Sequence, residues 1–103
     1  MTIVDMDFLS FKTPGEVSKE IAQRAKAKRK YMKLTQARLA EKADVSLSSL
    51  KRFERTGEIS LSSLLRIAMV LDSLKEFEGL FEKPQYTSIE EIINDKARNG
   101  KTG

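Results

Sequence analysis

Apolar residues recur along the chain at the spacing of amphipathic helices and fall into separate short segments. The first segment carries Val17, Ile21, Ala25 and Met32 on one face and runs to about Tyr31. Four further segments with the same period carry the apolar sets Leu39, Ala40 and Ala43; Leu47, Leu50 and Phe53; Leu61, Leu64, Leu65, Ala68 and Leu71; and Leu74, Phe77, Leu80 and Phe81. This pattern predicts an all-α bundle of five short helices.

Capping residues mark where the predicted helices begin. Thr13 precedes Pro14 and is followed by Glu16, which together predict a capping box at the start of the first helix. Single Thr or Ser caps precede the next three helices, at Thr35, Ser46 and Ser60. Two more capping boxes, Ser73–Glu76 and Ser88–Glu91, predict the fifth helix and a helix from Ile89 to about Arg98.

Turn signals and alternation complete the predicted organisation. Asp44-Val45 indicates a tight turn, and Gly57 stands where a helix usually ends in a left-handed conformation. Loose alternation over 3–11 is compatible with a short strand. We therefore expect an N-terminal arm (1–12), a helical domain (13–83) and a C-terminal helical tail (84–103).

Charge is distributed unevenly along the 103 residues, whose net charge is +4. Residues 21–57 hold eleven Lys and Arg against three acids, a local charge of +8, whereas the segments before and after are net acidic. A concentrated positive charge attracts phosphates and speeds their capture. The alternative interpretation is a solvated helix face rich in lysine.

The residue types that are missing exclude several classes of function. The chain has no cysteine and no histidine, so it lacks thiolate metal ligands, disulfides and the usual general base at neutral pH. No apolar run approaches the ~20 residues of a membrane span, and the acidic N-terminus does not resemble a signal peptide. We expect a cytoplasmic protein that is not an enzyme, with no metal, no cofactor and no membrane partner.

The segment 35–57 predicts two short helices joined by a tight turn that pack at a steep angle. Leu39, Ala43, Val45, Leu50 and Phe53 have the spacing that buries them between the helices, and Ala40 must be small where the next helix crosses it. The second helix then exposes small polar and basic side chains: Leu47, Ser48, Ser49, Lys51, Arg52 and Arg55. A helix of this kind fits the DNA major groove.

This pattern resembles the phage-repressor-like (Xre) helix-turn-helix family, whose fold is that of a lambda-repressor-like bundle. The resemblance covers about 16–82, and its most specific residues are Leu34-Thr35-Gln36, Leu39-Ala40, Ala43, Val45-Ser46, Leu50, Phe53-Glu54 and Gly57. The chain departs from the family at Asp44, where glycine is usual because the backbone needs a positive φ. Aspartate tolerates that region better than most residues, so we expect the turn to be retained.

The resemblance implies a role for each exposed residue. Gln36 would hydrogen-bond a phosphate, although it could be only an exposed glutamine at a helix start. The recognition helix would begin at Ser46 and read bases through Leu47, Ser48 and Arg52. Arg52 can bond the guanine O6/N7 pair, but a phosphate contact or a surface salt bridge remains open.

The other charged residues receive different expectations. Lys51 and Arg55 would hold phosphates, as positioning contacts rather than reading contacts, and Ser49 lies on the same face. Glu54 is expected to pair internally with a basic side chain. The basic run 24–33 could flank the DNA backbone or be solvated surface.

Three classes of function are compatible with these expectations. The first is a sequence-specific transcriptional repressor that binds a palindromic double-stranded operator as a homodimer. The second is an antitoxin of a toxin-antitoxin system. The segments 13–17, 60–65, 81–84 and 88–91 resemble those of HipB-like antitoxins, whose partner is a HipA-type kinase toxin, and this resemblance implies that the tail faces the toxin. The third is an RNA or ribosome-associated binder, which the scarcity of aromatic residues disfavours. Candidate dimer or partner residues are Leu74, Phe77, Leu80, Phe81, Ile89, Ile92 and Ile93.

Overall fold

The computed structural model describes residues 11–83, and within them the fold is helical with no strand. Four α-helices follow one another: α1 (Pro14–Tyr31), α2 (Gln36–Ala43), α3 (Leu47–Thr56) and α4 (Leu61–Val70). A single 3-10 turn, Leu74–Phe77, comes after them. The predictions for 1–10 and 84–103, including the tail residues Ile89, Ile92 and Ile93, lie outside the described residues.

All four α-helices begin at the predicted capping residues. The hydroxyls of Thr13, Thr35, Ser46 and Ser60 accept hydrogen bonds from backbone N–H groups three residues ahead, at 3.0–3.2 Å. The capping box is complete, because the Glu16 carboxylate accepts from the Thr13 N–H at 2.8 Å. Each such cap stabilises its helix by about 0.5–2 kcal/mol, so the helix boundaries are fixed locally.

The core lies where the four helices meet. Helix α1 packs on α3, and α2 packs on both α3 and α4. Every helix supplies buried apolar side chains, and the largest of them are Phe53, Leu39, Leu50, Ile67 and Leu71. Ala40 is 4% exposed, as expected of a small residue at a helix crossing. The core therefore fixes α3 through α1 on one side and α2 on the other.

The buried face of α1 agrees only in part with the predicted one, since Ile21 and Ala25 pack against the core as expected. Val17 and Met32 are 40% and 39% exposed, whereas Ala22 and Arg29 are buried and Ala25 packs against the core. The predicted spacing of four residues drifts around the helix, while Ala22, Ala25 and Arg29 follow the true stripe at i, i+3 and i+7. An arginine therefore occupies a core position in α1.

The predicted fifth helix is only a four-residue 3-10 turn, and its capping box is absent. The side chain of Ser73 does not cap the turn. Its hydroxyl accepts a hydrogen bond from Lys28 Nζ at 2.7 Å, and the same hydroxyl donates to the Leu71 carbonyl at 3.3 Å. The long-range contact with α1 thus replaces the local cap. No helix among residues 11–83 is long and apolar enough to cross a bilayer.

Candidate nucleic-acid interface

The connection between α2 and α3 is a tight turn centred on Asp44. Asp44 adopts the left-handed conformation, with φ 55° and ψ 47°, and the N–H of Val45 donates to the Ala40 carbonyl at 3.0 Å. This geometry closes the C-terminus of α2 and delivers the chain directly to Ser46, the cap of α3. The expectation that aspartate can replace glycine in this turn is therefore confirmed.

Helix α3 has one buried face and one exposed polar face. Leu50 and Phe53 are each 1% exposed and anchor the helix in the core. On the opposite side Leu47 is 37% exposed, and the polar residues Ser48, Ser49, Lys51, Arg52 and Arg55 are all exposed. The structure thus brings the predicted recognition residues together on one open surface.

The hydroxyl groups at the start of α3 are partly engaged with one another. Ser46 Oγ accepts from the Ser49 N–H at 3.0 Å and donates to Ser49 Oγ at 2.7 Å. Ser48 Oγ lies 3.3 Å from Ser46 Oγ. Since Ser46 is committed to capping, the hydroxyls of Ser48 and Ser49 are the ones with hydrogen-bonding capacity left for a ligand.

A buried ion pair joins α1 to α3 beneath the exposed face. Arg29 Nε donates to Glu54 Oε2 at 2.7 Å and Arg29 Nη2 donates to Glu54 Oε1 at 3.1 Å, with side chains 8% and 4% exposed. Arg29 Nη1 also donates to the Leu34 carbonyl at 2.8 Å. The expected internal pairing of Glu54 is confirmed, and Arg29 is removed from the basic run that could flank DNA.

The pKa of Glu54 reflects two opposing influences. Burial raises the pKa by disfavouring the charged carboxylate. Hydrogen bonds from Arg29 and Gln36 and the charges of Arg29 and Lys26 lower it, and together they outweigh the effect of burial. The pKa of Glu54 therefore lies below the ordinary value of 4.5. The carboxylate is therefore ionised at neutral pH, and the ion pair is complete.

Gln36 belongs to the same network. Its Nε2 donates to Glu54 Oε1 at 2.9 Å, which holds the side chain of the first α2 residue against α3. A carboxamide nitrogen has two N–H groups, so one remains for another acceptor. The N-terminus of α2 adds the positive end of its helix dipole at this place.

The exposed cations of α3 differ in their partners. Arg52 Nη2 forms an ion pair with Glu58 Oε1, and both side chains are 62% exposed. Lys51 and Arg55 make no side-chain hydrogen bond or ion pair with any residue in 11–83. The structure therefore leaves two cations available and one held by a carboxylate that lies just past the helix.

Three contacts of the structure were not predicted from the sequence: those made by Arg29, Lys28 and Glu58. The position of Arg29 was readable from its spacing to Ala22 and Ala25, but its charge argued for an exposed site. Lys28, also assigned to the basic run, instead binds Ser73. Glu58 carried no sequence signal, because its contact with Arg52 depends on how the chain leaves α3.

The fold and this surface define a helix-turn-helix domain. The family model described as Helix-turn-helix matches residues 26–77, about half of the chain, from the second half of α1 through the 3-10 turn. The chain belongs to this family, the phage-repressor-like (Xre) helix-turn-helix domains, which are DNA-binding regulatory domains. No curated protein matches the chain.

Proposed function

We propose that this protein is a sequence-specific repressor of transcription that inserts α3 into the major groove of double-stranded DNA. The observation that carries the proposal is the two-sided construction of α3, with Leu50 and Phe53 buried and a basic, polar face exposed. A helix with side chains is about 10–12 Å across, which matches the width of the major groove. A regulator held on a promoter in this way represses by excluding other proteins from the same DNA.

Each exposed residue has a role that suits its chemistry. Arg52 bonds a guanine through parallel N–H groups, Leu47 contacts a thymine methyl, and Ser48 contacts a base or a phosphate. Lys51 and Arg55 neutralise phosphates without reading sequence. The free N–H of Gln36 donates to a phosphate, and its contact with Glu54 supports this role by fixing the direction of the amide.

A homodimer on a palindromic operator completes the proposal. Two such domains read half-sites about 34–36 Å apart. The exposure of Leu80 (57%) and Phe81 (105%) supports the predicted dimer surface, whereas Leu74 and Phe77 are partly buried against the monomer. Its test is the molar mass in solution at micromolar concentration, where a dimer is expected and a strict monomer would contradict it.

The function is tested by selecting duplexes from a random pool with the purified chain. We expect an enriched, two-fold symmetric sequence, protected in a footprint that spans two major grooves on one side of the duplex. The negative control is Leu50→Asp, which places a charge in the core, should unfold the domain and should therefore abolish both results. Failure of the folded wild-type chain to bind any duplex at low salt would refute the proposal.

An antitoxin that also neutralises a HipA-type kinase is the second candidate. An open groove of about 640 Å³ lies near the starts of α1 and α4, and exposed apolar side chains at its edge, Phe11, Val17 and Leu61, suit a protein partner. The test is co-expression with a kinase encoded beside the gene. A complex in which kinase activity is suppressed would establish this candidate, and an active kinase that fails to bind would remove it.

A further inference from the structure

Glu58 lies beside the recognition helix at a position that the backbone dictates. Gly57 ends α3 with φ 82°, and a Cβ at this residue would come within 2.8 Å of the carbonyl carbon of Ser18 in α1. The Thr56 hydroxyl accepts from the Glu58 N–H at 3.1 Å and donates to the Arg52 carbonyl at 2.8 Å. The chain therefore leaves α3 in one direction, with the Glu58 carboxylate within reach of the Arg52 guanidinium.

The ion pair occupies only part of the hydrogen-bonding capacity of Arg52. A single contact is formed, from Nη2 to Oε1, whereas a guanidinium carries five N–H donors. A guanine edge requires two of them. Arg52 can therefore bind guanine while it remains paired with Glu58.

The ion pair with Glu58 weakens the attraction of Arg52 to phosphates more than its attraction to guanine. A phosphate attracts an arginine mainly through net charge, and the charge of Arg52 is offset by the adjacent carboxylate. Guanine O6 and N7 attract it through directed hydrogen bonds, which the pairing leaves intact. Pairing also restricts the long side chain, so less conformational entropy is lost when it meets a base.

We propose that Glu58 is a positioning residue that determines specificity, because it holds Arg52 for base reading and keeps it from the DNA backbone. This inference rests on the proposed DNA-binding function and adds to it a residue outside the recognition helix. Within 46–59 the only other acid is Glu54, which is buried in its pair with Arg29. Glu58 is thus the exposed carboxylate of this segment, and it is the one that pairs with Arg52.

The test compares Glu58→Gln with Glu41→Gln. The two variants remove the same charge, and each releases an arginine from an exposed ion pair, since Arg38 pairs with Glu41 on α2. Binding to the selected operator, to an operator changed at the guanine, and to an unrelated duplex is measured by fluorescence anisotropy at about 50–200 mM salt. Each variant is also made in the Arg52→Ala background.

For Glu58→Gln we expect about two- to five-fold tighter binding to the unrelated duplex. The salt slope on that duplex should steepen by about 0.9, the value for one additional phosphate contact. Operator affinity should stay level or fall, so that the preference for guanine drops about two- to five-fold. In the Arg52→Ala background only the general effect of the lost charge should remain, so Glu58→Gln should then behave like Glu41→Gln, which should strengthen binding to all three duplexes alike and leave the guanine preference unchanged.

Two results would overturn the inference while leaving the proposed function intact. One is an equal effect of Glu58→Gln with and without Arg52, which would reveal a general charge effect. The other is an unchanged guanine preference in a Glu58→Gln protein that folds and binds the operator. Absence of duplex binding by the wild-type chain would instead refute the proposed function and this inference together.

Discussion

Replacing Glu54 by Gln removes one charge from the interior with almost no change in shape. The carboxylate accepts three hydrogen bonds, two from Arg29 and one from Gln36. In the variant the amide NH₂ group replaces one of the two carboxylate oxygens. In one orientation it faces the N–H of Arg29 Nε, and in the other it faces the N–H groups of Arg29 Nη2 and Gln36, so donor meets donor in both. The guanidinium then remains 8% exposed without a counter-charge.

The expected cost of Glu54→Gln is about 3–5 kcal/mol, the range for removing one partner of a buried ion pair. The free energy of unfolding of a domain of this size is about 4–10 kcal/mol, so the variant should lose a large part of its stability. The control is Glu41→Gln, whose ion pair with Arg38 is exposed and should contribute about 0.2–1 kcal/mol.

Urea unfolding followed by far-ultraviolet circular dichroism measures both variants at neutral pH. Adding Arg29→Met to Glu54→Gln should restore most of the lost stability, because the uncompensated charge is then gone. A loss below about 1 kcal/mol for Glu54→Gln, similar to the exposed control, would show that the pair does not hold α1 to α3.

The remaining predictions concern acid, the end of α3 and the DNA contacts. Since the pKa of Glu54 is lower in the folded protein, its contribution to stability is complete above the ordinary value of 4.5 and is lost as the pH falls through the folded pKa. The free energy of unfolding of the wild type in urea should therefore fall more steeply below pH 4.5 than that of Glu54→Gln. Parallel plots of this free energy against pH would contradict the prediction. Gly57→Ala should cost at least about 2 kcal/mol in the same assay because its φ is 82° and its Cβ would meet the α1 backbone. Gly15→Ala, whose Cβ would meet only Thr13 Oγ1 at 4.0 Å, should be neutral or stabilising. Equal effects of the two substitutions would argue against the strained exit from α3. In footprint titrations Arg52→Ala should lose about 1–3 kcal/mol at one base pair, and Lys51→Ala should weaken all sequences alike and lower the salt slope by about 1; uniform loss for Arg52→Ala would count against base reading.

Features that depend on neighbouring residues were the ones predictable from sequence. The caps at Thr13, Thr35, Ser46 and Ser60 form within one helical turn, so the residues that make them are adjacent in the chain. The left-handed turn at Asp44 is local in the same way. These boundaries, with the apolar period of α3, were sufficient to predict which face of α3 is buried and which polar face is exposed.

Features that depend on distant partners were not predictable in the same way. Arg29 and Glu54 are separated by 25 positions in the chain, and only the packing of α1 on α3 brings them together. The sequence around Ser73 predicts a helix cap, yet its hydroxyl accepts a hydrogen bond from Lys28, 45 positions away. At Ser73 a distant contact overrode the local capping propensity, whereas at Glu54 the internal pairing was expected and only its partner, Arg29, was not.

The link between Arg29, Glu54 and Gln36 lies beneath the exposed face of α3 and uses none of Leu47, Ser48 and Arg52. Substitutions at those three positions should therefore leave the folding of the domain largely unchanged. Libraries randomised there could yield regulators retargeted to new operators on an unchanged framework, and natural divergence of binding preference could follow the same route.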